Sequence, residues 1–215
     1  NMSHELKSPV AIMKGYLETL HDHLDDPATG RTLVERAIEN ANRQNALIND
    51  ILNLHAIESS DGIVRERIDV QEILGSCVRI LSAKAAGRNV TISTVYGADA
   101  VLENGSRFLA EEVLFNIVDN AISYNNDGGS VFVSLEEKDG SLVCSIRDTG
   151  IGIPPDSITR IFERFYRVDK SRSRATGGTG LGLSIVRHAA DMLGWRISVM
   201  SSESGTEFRI IMRDL

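Results

Sequence analysis

Gly177-Gly178-Thr179-Gly180-Leu181-Gly182-Leu183, followed by Ser184-Ile185-Val186, is the stretch around which the chain is organised. Glycine has no Cβ, so backbone N–H groups in such a loop can close on a phosphate. The apolar run after it predicts a helix, and the loop then delivers a helix N-terminus, where free N–H groups and the macrodipole favour anions. The stretch is neither G-x-G-x-x-G after a strand nor a Walker A loop, because no Lys follows its last glycine. Taken alone it also fits a flexible linker, so the choice rests on the rest of the chain.

The chain has 215 residues, with 42% hydrophobic and 25% charged. That composition belongs to globular proteins, and the length allows one large domain or a small one with a medium one. No apolar run is long enough to span a bilayer. A net charge of -7 argues against nucleic acid and anionic membrane as partners. The two cysteines, Cys77 and Cys144, lie in apolar contexts and read as buried small hydrophobes in a reducing compartment. The chain opens on Asn1 with a helical pattern already running, so a fragment of something longer is expected.

Leu6, Val10, Met13, Leu17, Leu20 and Leu24 recur at alternating spacings of four and three, the pattern of a bundle helix. Asp25-Asp26-Pro27-Ala28-Thr29-Gly30 predicts a tight connection. Val34, Ile38, Ala41, Ile48 and Leu52 form a second stripe, interrupted by Asn45 and widened by Ala37, Leu47 and Ile51. A hairpin of two such helices cannot bury both faces, and a dimeric four-helix bundle is the economical solution. Ser59-Ser60-Asp61-Gly62 ends the hairpin. The expected division is a hairpin over 1–60, a linker over 61–68 and a second domain over 69–215. In the second domain helices are expected over 70–86, 106–125 and 181–193, the last with Gly194 as C-cap. Strands are expected at 90–96, 131–135 and 142–146, the latter two joined at Lys138-Asp139-Gly140-Ser141, and a final hairpin pairs 196–200 with 206–212. The fold class is therefore multidomain: an α-helical hairpin followed by an α+β sandwich with its helices on one face.

Four further stretches carry side chains suited to chemistry. In Ser3-His4-Glu5-Leu6-Lys7-Ser8-Pro9, His4 lies roughly 200° around the helix from Leu6, away from the stripe. Glu5 could hold one ring nitrogen and sharpen the other as a nucleophile. Pro9 leaves the Glu5 carbonyl without its helical partner, either softening the helix near His4 or forming a tolerated kink. In Asn116-Ile117-Val118-Asp119-Asn120-Ala121-Ile122-Ser123-Tyr124, the two asparagines share a helix face opposite Leu114, Ile117, Val118 and Ala121. Their amide oxygens suit a hard cation such as Mg²⁺, and Tyr124 could stack on a base; solvated or capping asparagines are the plain alternative. In Arg147-Asp148-Thr149-Gly150-Ile151-Gly152, a carboxylate at a strand end could accept from an exocyclic amine, or the stretch is a simple turn. Phe162, Phe165 and Arg167 precede the cationic Lys170-Ser171-Arg172-Ser173-Arg174, which reads as a lid over an anionic ligand or as a solvated loop.

Together, in this order, these stretches resemble the sensor histidine kinases of two-component signalling. Ser3 to Pro9 resembles the H box, Asn116 to Tyr124 the N box, Asp148 to Gly152 the G1 box, Phe162 to Phe165 the F box, and Gly178 to Leu183 the G2 box. The resemblance covers essentially the whole chain. It implies a dimerisation and histidine-phosphotransfer hairpin followed by a Bergerat (GHKL) ATP-binding domain, with ATP and Mg²⁺ as cofactors. It implies a homodimer through the hairpin, a response-regulator receiver domain as partner, and no nucleic-acid or membrane contact from this stretch. The place implied is the cytoplasmic portion of a membrane-bound sensor. By the same resemblance His4 accepts the γ-phosphoryl group with Glu5 as general base. Asn120, helped by Asn116, holds Mg²⁺. Tyr124 flanks adenine and Asp148 recognises its amine, with Gly150 and Gly152 allowing close approach. Arg167 contacts the γ-phosphate, and Gly178, Thr179, Gly180, Leu181 and Gly182 support the phosphates and lid.

Two positions depart from the family pattern. Three residues after Asn120 the family often carries a base facing the phosphates; here Ser123 stands there, so weaker ATP binding or turnover is expected unless a lid cation substitutes. Four after His4 the family commonly has Thr or Asn, which supports dephosphorylation of the partner; here Ser8 would have to position the water. Two rivals share the nucleotide pocket: another Bergerat ATPase of the chaperone or mismatch-repair kind, and a pseudokinase scaffold that binds nucleotide without transfer.

Overall fold

The computed structural model describes residues 2–22, 27–59, 63–97, 100–168 and 178–213, with the side chains of 2–9, 22 and 27–28 outside that description. Two helices, α1 (Met2–Asp22) and α2 (Pro27–Ser59), pack on each other as a hairpin. The break expected over Asp25–Gly30 is shorter than its sequence suggests, because α2 already begins at Pro27. Proline fits there: the first helical turn has no use for its missing N–H.

The second unit runs β1 (Glu66–Asp69), α3 (Val70–Ala86), β2 (Thr91–Tyr96), β3 (Val101–Gly105), α4 (Arg107–Ser123), β4 (Ser130–Lys138), β5 (Ser141–Asp148), a short turn of helix α5 (Pro155–Ile158), α6 (Gly182–Leu193), β6 (Arg196–Ser202) and β7 (Gly205–Met212). The main sheet has the order β2-β4-β5-β7-β6, antiparallel except that β2 runs parallel to β4. Two hairpins supply its antiparallel part. The β4–β5 turn has Asp139 and Gly140 both at positive φ, 52° and 67°, the geometry whose twist matches that of the flanking strands.

Alternation along the strands sends one set of side chains to the helices. Val133, Ile146 and Phe208 stand in cross-strand register, as do Leu135, Cys144 and Ile210, and all six are nearly or fully buried. Phe132, on the other face, is 47% exposed. Across from the buried rows lie α3, α4 and α6. Helix α4 contributes Leu109, Val113, Leu114, Ile117, Val118 and Ile122, each at 0% exposure. Helix α3 opens on Asp69, whose carboxylate accepts from the Glu72 N–H at 3.1 Å. Helix α6 ends on Gly194 at φ 70°, a left-handed cap that lets the Trp195 N–H return to the Ala190 carbonyl. Cys77 and Cys144 are both free and buried, as their contexts predict.

Strands β1 and β3 were not visible in the sequence. They pair antiparallel as a separate two-stranded sheet, with Ile68 opposite Leu102. The stretch 61–68, expected to be a linker, therefore contains most of a strand whose Ile68 is 3% exposed. Strands of four and five residues carry too little alternation to register as a pattern.

The division of the sheet into a packed and an open face sets unequal costs. Ile117→Ala should lose about 3 kcal/mol in urea denaturation, through lost burial and a residual cavity. Phe132→Ser should stay within about 0.5 kcal/mol of the parent chain. Equal losses at the two positions would contradict this layering.

Candidate functional site

A cleft of about 610 Å³ opens between α4, the turn after β5, the glycine loop and the flank of α2. Asn116, Asn120 and Tyr124 face it from α4; Asp148 and Gly152 from the end of β5; Arg167 from the segment after the F box; Gly178, Thr179, Gly180 and Gly182 from the glycine loop. These motifs lie far apart in sequence, and the fold brings them to one cavity.

Asp148 reaches the cleft by strand periodicity. It lies two residues beyond Ile146, on the same buried face, where β5 runs out of core. Its Oδ1 accepts from the Gly150 N–H at 2.8 Å and the Thr206 N–H at 3.2 Å. Burial pushes this carboxyl above the usual range, and the two amides pull against that. Both bonds end on Oδ1, so Oδ2 retains acceptor capacity for a ligand donor. Gly150 is buried beside it and takes part through its backbone. Gly152 has φ 67°, and a Cβ there would stand 1.8 Å from the Ser202 carbonyl oxygen. Only glycine lets the β6–β7 hairpin close on this turn.

Helix α6 meets α4 equally closely. A Cβ on Gly182 would fall 2.6 Å from Asn116 Oδ1, so glycine at the start of α6 makes room for that amide. Asn116 Nδ2 donates to the Glu112 carbonyl at 2.8 Å, which fixes which end of the amide is oxygen. Tyr124 ends α4 with its hydroxyl near Gly178. Phe165, at φ 62°, donates its N–H to the Gly180 carbonyl at 2.8 Å and ties the F-box segment to the glycine loop. Arg187 of α6 lies over the Phe162 ring, 4.5 Å from its centre.

Leu181 differs from its neighbours in the loop. It is 1% exposed and anchors the loop in the core, while its N–H donates to Thr179 Oγ1 at 3.2 Å. The side chains of His4, Glu5 and Ser8 lie outside the described residues, as do the stretch Lys170–Thr176 expected to form a lid and Gly177 of the glycine loop.

Several lining residues carried no sequence signal. Asp50 and Ala46 come from α2, and Lys84 from α3. Asp50 Oδ2 accepts from Thr179 Oγ1 at 2.5 Å, and Asn53 Nδ2 donates to Glu112 Oε1 at 2.8 Å. Farther along α2, Glu58 pairs with Arg164 and lies 3.5 Å from His188 Nε2. Leu47, Leu54 and Ile57 are buried on the same side of α2. Ser123 lines the cleft with its Oγ 3.4 Å from Asp119 Oδ2, and Lys84 Nζ reaches the other oxygen of that carboxylate at 2.5 Å. Asp119 had a readable position, one residue from Asn120. Asp50 and Lys84 had none, because helix–helix docking put them there.

Burial, helped by the Asp50 charge, pushes Glu112 up to about 7. Burial also raises Asp50, opposed by the Thr179 hydroxyl and reinforced by Asp119. An ordinary glutamate titrates near 4.5. The folded chain therefore holds a proton on Glu112 that the unfolded chain releases. That contribution to stability is fully present below about 4.5 and is lost as pH rises through about 7. Urea midpoints should fall across this window, and Glu112→Gln should flatten the fall and raise the midpoint at pH 8. An unchanged slope in that variant would mean that Glu112 is not the group responsible.

Residues 105–214 match the family described as histidine kinase-, DNA gyrase B-, and HSP90-like ATPase, and residues 1–60 match the His Kinase A (phospho-acceptor) domain. The sensor-like histidine kinase SenX3 of Mycolicibacterium smegmatis is 38% identical over 196 residues, covering 88% of this chain and 50% of that protein. The phosphate regulon sensor protein PhoR of Pseudomonas aeruginosa is 40% identical over 191 residues, covering 87% of this chain and 43% of that protein. This chain thus spans about half the length of these curated relatives. The histidine kinase ThkA, in its complex with the response regulator protein TrrA, shares the fold at a TM-score of 0.77 with 23% identity, over 99% of this chain and 60% of that one. A Bergerat-fold cleft built on paired asparagines and a glycine loop, preceded by a helical hairpin that matches the phospho-acceptor domain, places this chain in the sensor histidine kinase family.

Proposed function

We propose that this chain phosphorylates itself on His4 from ATP and passes the phosphoryl group to an aspartate of a response-regulator receiver domain. The observation that carries this reading is the convergence of Asn116, Asn120, Asp148 and the glycine loop on one cleft directly against α2, a helix of the hairpin that bears His4. The histidine kinase relatives and the phospho-acceptor match over 1–60 support it.

In this reading residues 1–60 dimerise and carry the phosphoryl group, and residues 69–215 bind ATP. Asp148 Oδ2 accepts from the adenine amine, and Gly152 lets the β6–β7 hairpin close beside that end of the cleft. Tyr124 flanks the ring. The glycine loop, Thr179 and Arg167 neutralise phosphate oxygens. Asn116 and Asn120 offer amide oxygens, hard donors that fit Mg²⁺, and Gly182 keeps the space beside Asn116 clear. A cation held by these two amides would supply charge neutralisation for the phosphates. One His4 nitrogen bonds to the γ-phosphorus as the bond from that phosphorus to the β–γ bridging oxygen breaks, ADP leaves, and Glu5 takes the imidazole proton. Ser8 is the residue that would position water for hydrolysis of the partner's aspartyl phosphate. ATP as substrate puts this work on the cytoplasmic side of a longer sensor.

The hairpin supports a homodimer. Val10, Leu17, Val34, Ile38, Ile48 and Leu52 are between 39% and 60% exposed in the single chain, although they form its apolar stripes. Pairing with a second hairpin buries such a face. Partners are then a second copy of the chain and a receiver domain.

Incubation with labelled ATP and Mg²⁺ should give an acid-labile, base-stable phosphoryl label that is absent from His4→Gln and from Asn120→Asp. Label surviving in His4→Gln would overturn the acceptor assignment. Chains with Ile38→Glu and Leu52→Glu should sediment as monomers, while the unaltered chain sediments as a dimer. A dimer that survives both changes would remove the four-helix-bundle reading.

A further inference from the structure

The described residues of the cleft offer a polyphosphate as many negative groups as positive ones and one more. Among the described residues lining it, Asp50, Asp119 and Asp148 are acidic, and only Lys84 and Arg167 are basic. Lys84 stands on α3, outside every motif that marks the site. Its ammonium lies 2.5 Å from Asp119 Oδ1, on the residue next to Asn120. The Lys84 and Asp119 side chains are 39% and 29% exposed, so the pair is open to the cleft rather than sealed in the core. Asp119 lies near enough to Asp50 to affect its titration, and Asp50 is bonded to Thr179 of the glycine loop. The Lys84–Asp119 pair therefore stands in the same electrostatic neighbourhood as that loop. Ser123, one turn along α4 from Asp119, has its Oγ 3.4 Å from the other oxygen of that carboxylate.

Resting on the nucleotide reading above, we propose that Lys84 is a phosphate-binding residue of this cleft, held by Asp119 until an adenine nucleotide arrives and then exchanged onto its phosphate oxygens. A half-exposed ion pair is worth little and gives way readily. A lysine is a compact charge on a flexible stem, able to follow a phosphate over a short distance. Release also leaves Asp119 beside Asn120, where a carboxylate favours a divalent cation. The acid and base that pair in the absence of nucleotide thus separate onto a cation and an anion that arrive together.

The test is calorimetric titration of the chain, of Lys84→Met and of Lys84→Arg with adenosine, ADP and ATP. Lys84→Met should weaken ATP about tenfold, the loss of one charge-assisted contact. It should leave adenosine binding unchanged, and Lys84→Arg should keep most of the ATP affinity. Asp119→Asn, titrated with ATP in EDTA so that no cation intervenes, should bind at least as tightly as the parent chain. A merely structural bridge would make Lys84→Met and Asp119→Asn fail together and affect adenosine as much as ATP; either result overturns the assignment. So does a Lys84→Met chain that binds ATP as the parent does. A parent chain that binds none of the three ligands would overturn the nucleotide reading itself, and the Lys84 assignment with it.

Discussion

Helix α4 has both of its faces committed, and the rest of the second unit is arranged to satisfy them. Leu114, Ile117, Val118 and Ile122 are sealed among the sheet, α3 and α6. A helix turns 3.6 residues at a time, so the packing that fixes those side chains also fixes the angle at which Asn116, Asn120 and Ser123 leave the opposite side. The core is therefore the aiming device for the cleft. Close-packed interiors give little, so a rotation of α4 large enough to misdirect the asparagines would open voids on its other face.

The boundaries of the cleft are set by approaches that side chains would prevent. Gly182 brings the start of α6 against Asn116, and Gly152 brings the β6–β7 hairpin against the turn after β5. Asp148 sits where these two constraints meet the end of a buried strand. Its lifted titration and its two backbone donors have one origin, a carboxylate drawn from water and held by amides. Backbone donors fix the position of Oδ1 without the conformational freedom that a side-chain partner would bring.

The hairpin meets this unit through a few polar pairs and a short apolar seam. Asp50 with Thr179, Asn53 with Glu112, and Glu58 with Arg164 are polar contacts beside a short apolar seam of Leu47, Leu54 and Ile57. The net worth of such bonds is small because water replaces each partner at little cost. A joint of this kind holds the two parts in register and still allows them to part, as the proposed phosphoryl transfer to His4 would require. The Glu112 carboxyl, raised by burial and by the nearby Asp50 charge, makes the joint sensitive to protons as well.

The helices α3, α4 and α6, both sheet hairpins and the glycine loop were legible because each depends on neighbours in the chain: a repeat of 3.6 or 2, a turn pair such as Asp139-Gly140, a cap such as Gly194. The five boxes added the family, and residues of the N, G1 and G2 boxes, with Arg167 after the F box, are the ones that the fold gathers at the cleft. Strands β1 and β3 escaped notice because four or five residues show no period. The places of Asp50 and Lys84 in the cleft escaped for a different reason. Asp50 touches Thr179 across 129 positions, and Lys84 touches Asp119 across 35. The sequence by itself determined which segments coil, which pair and which chemistry they carry. Only the tertiary structure decided which helices lend a charge to the cleft, because docking angles follow from the whole packed core and leave no trace in any local stretch.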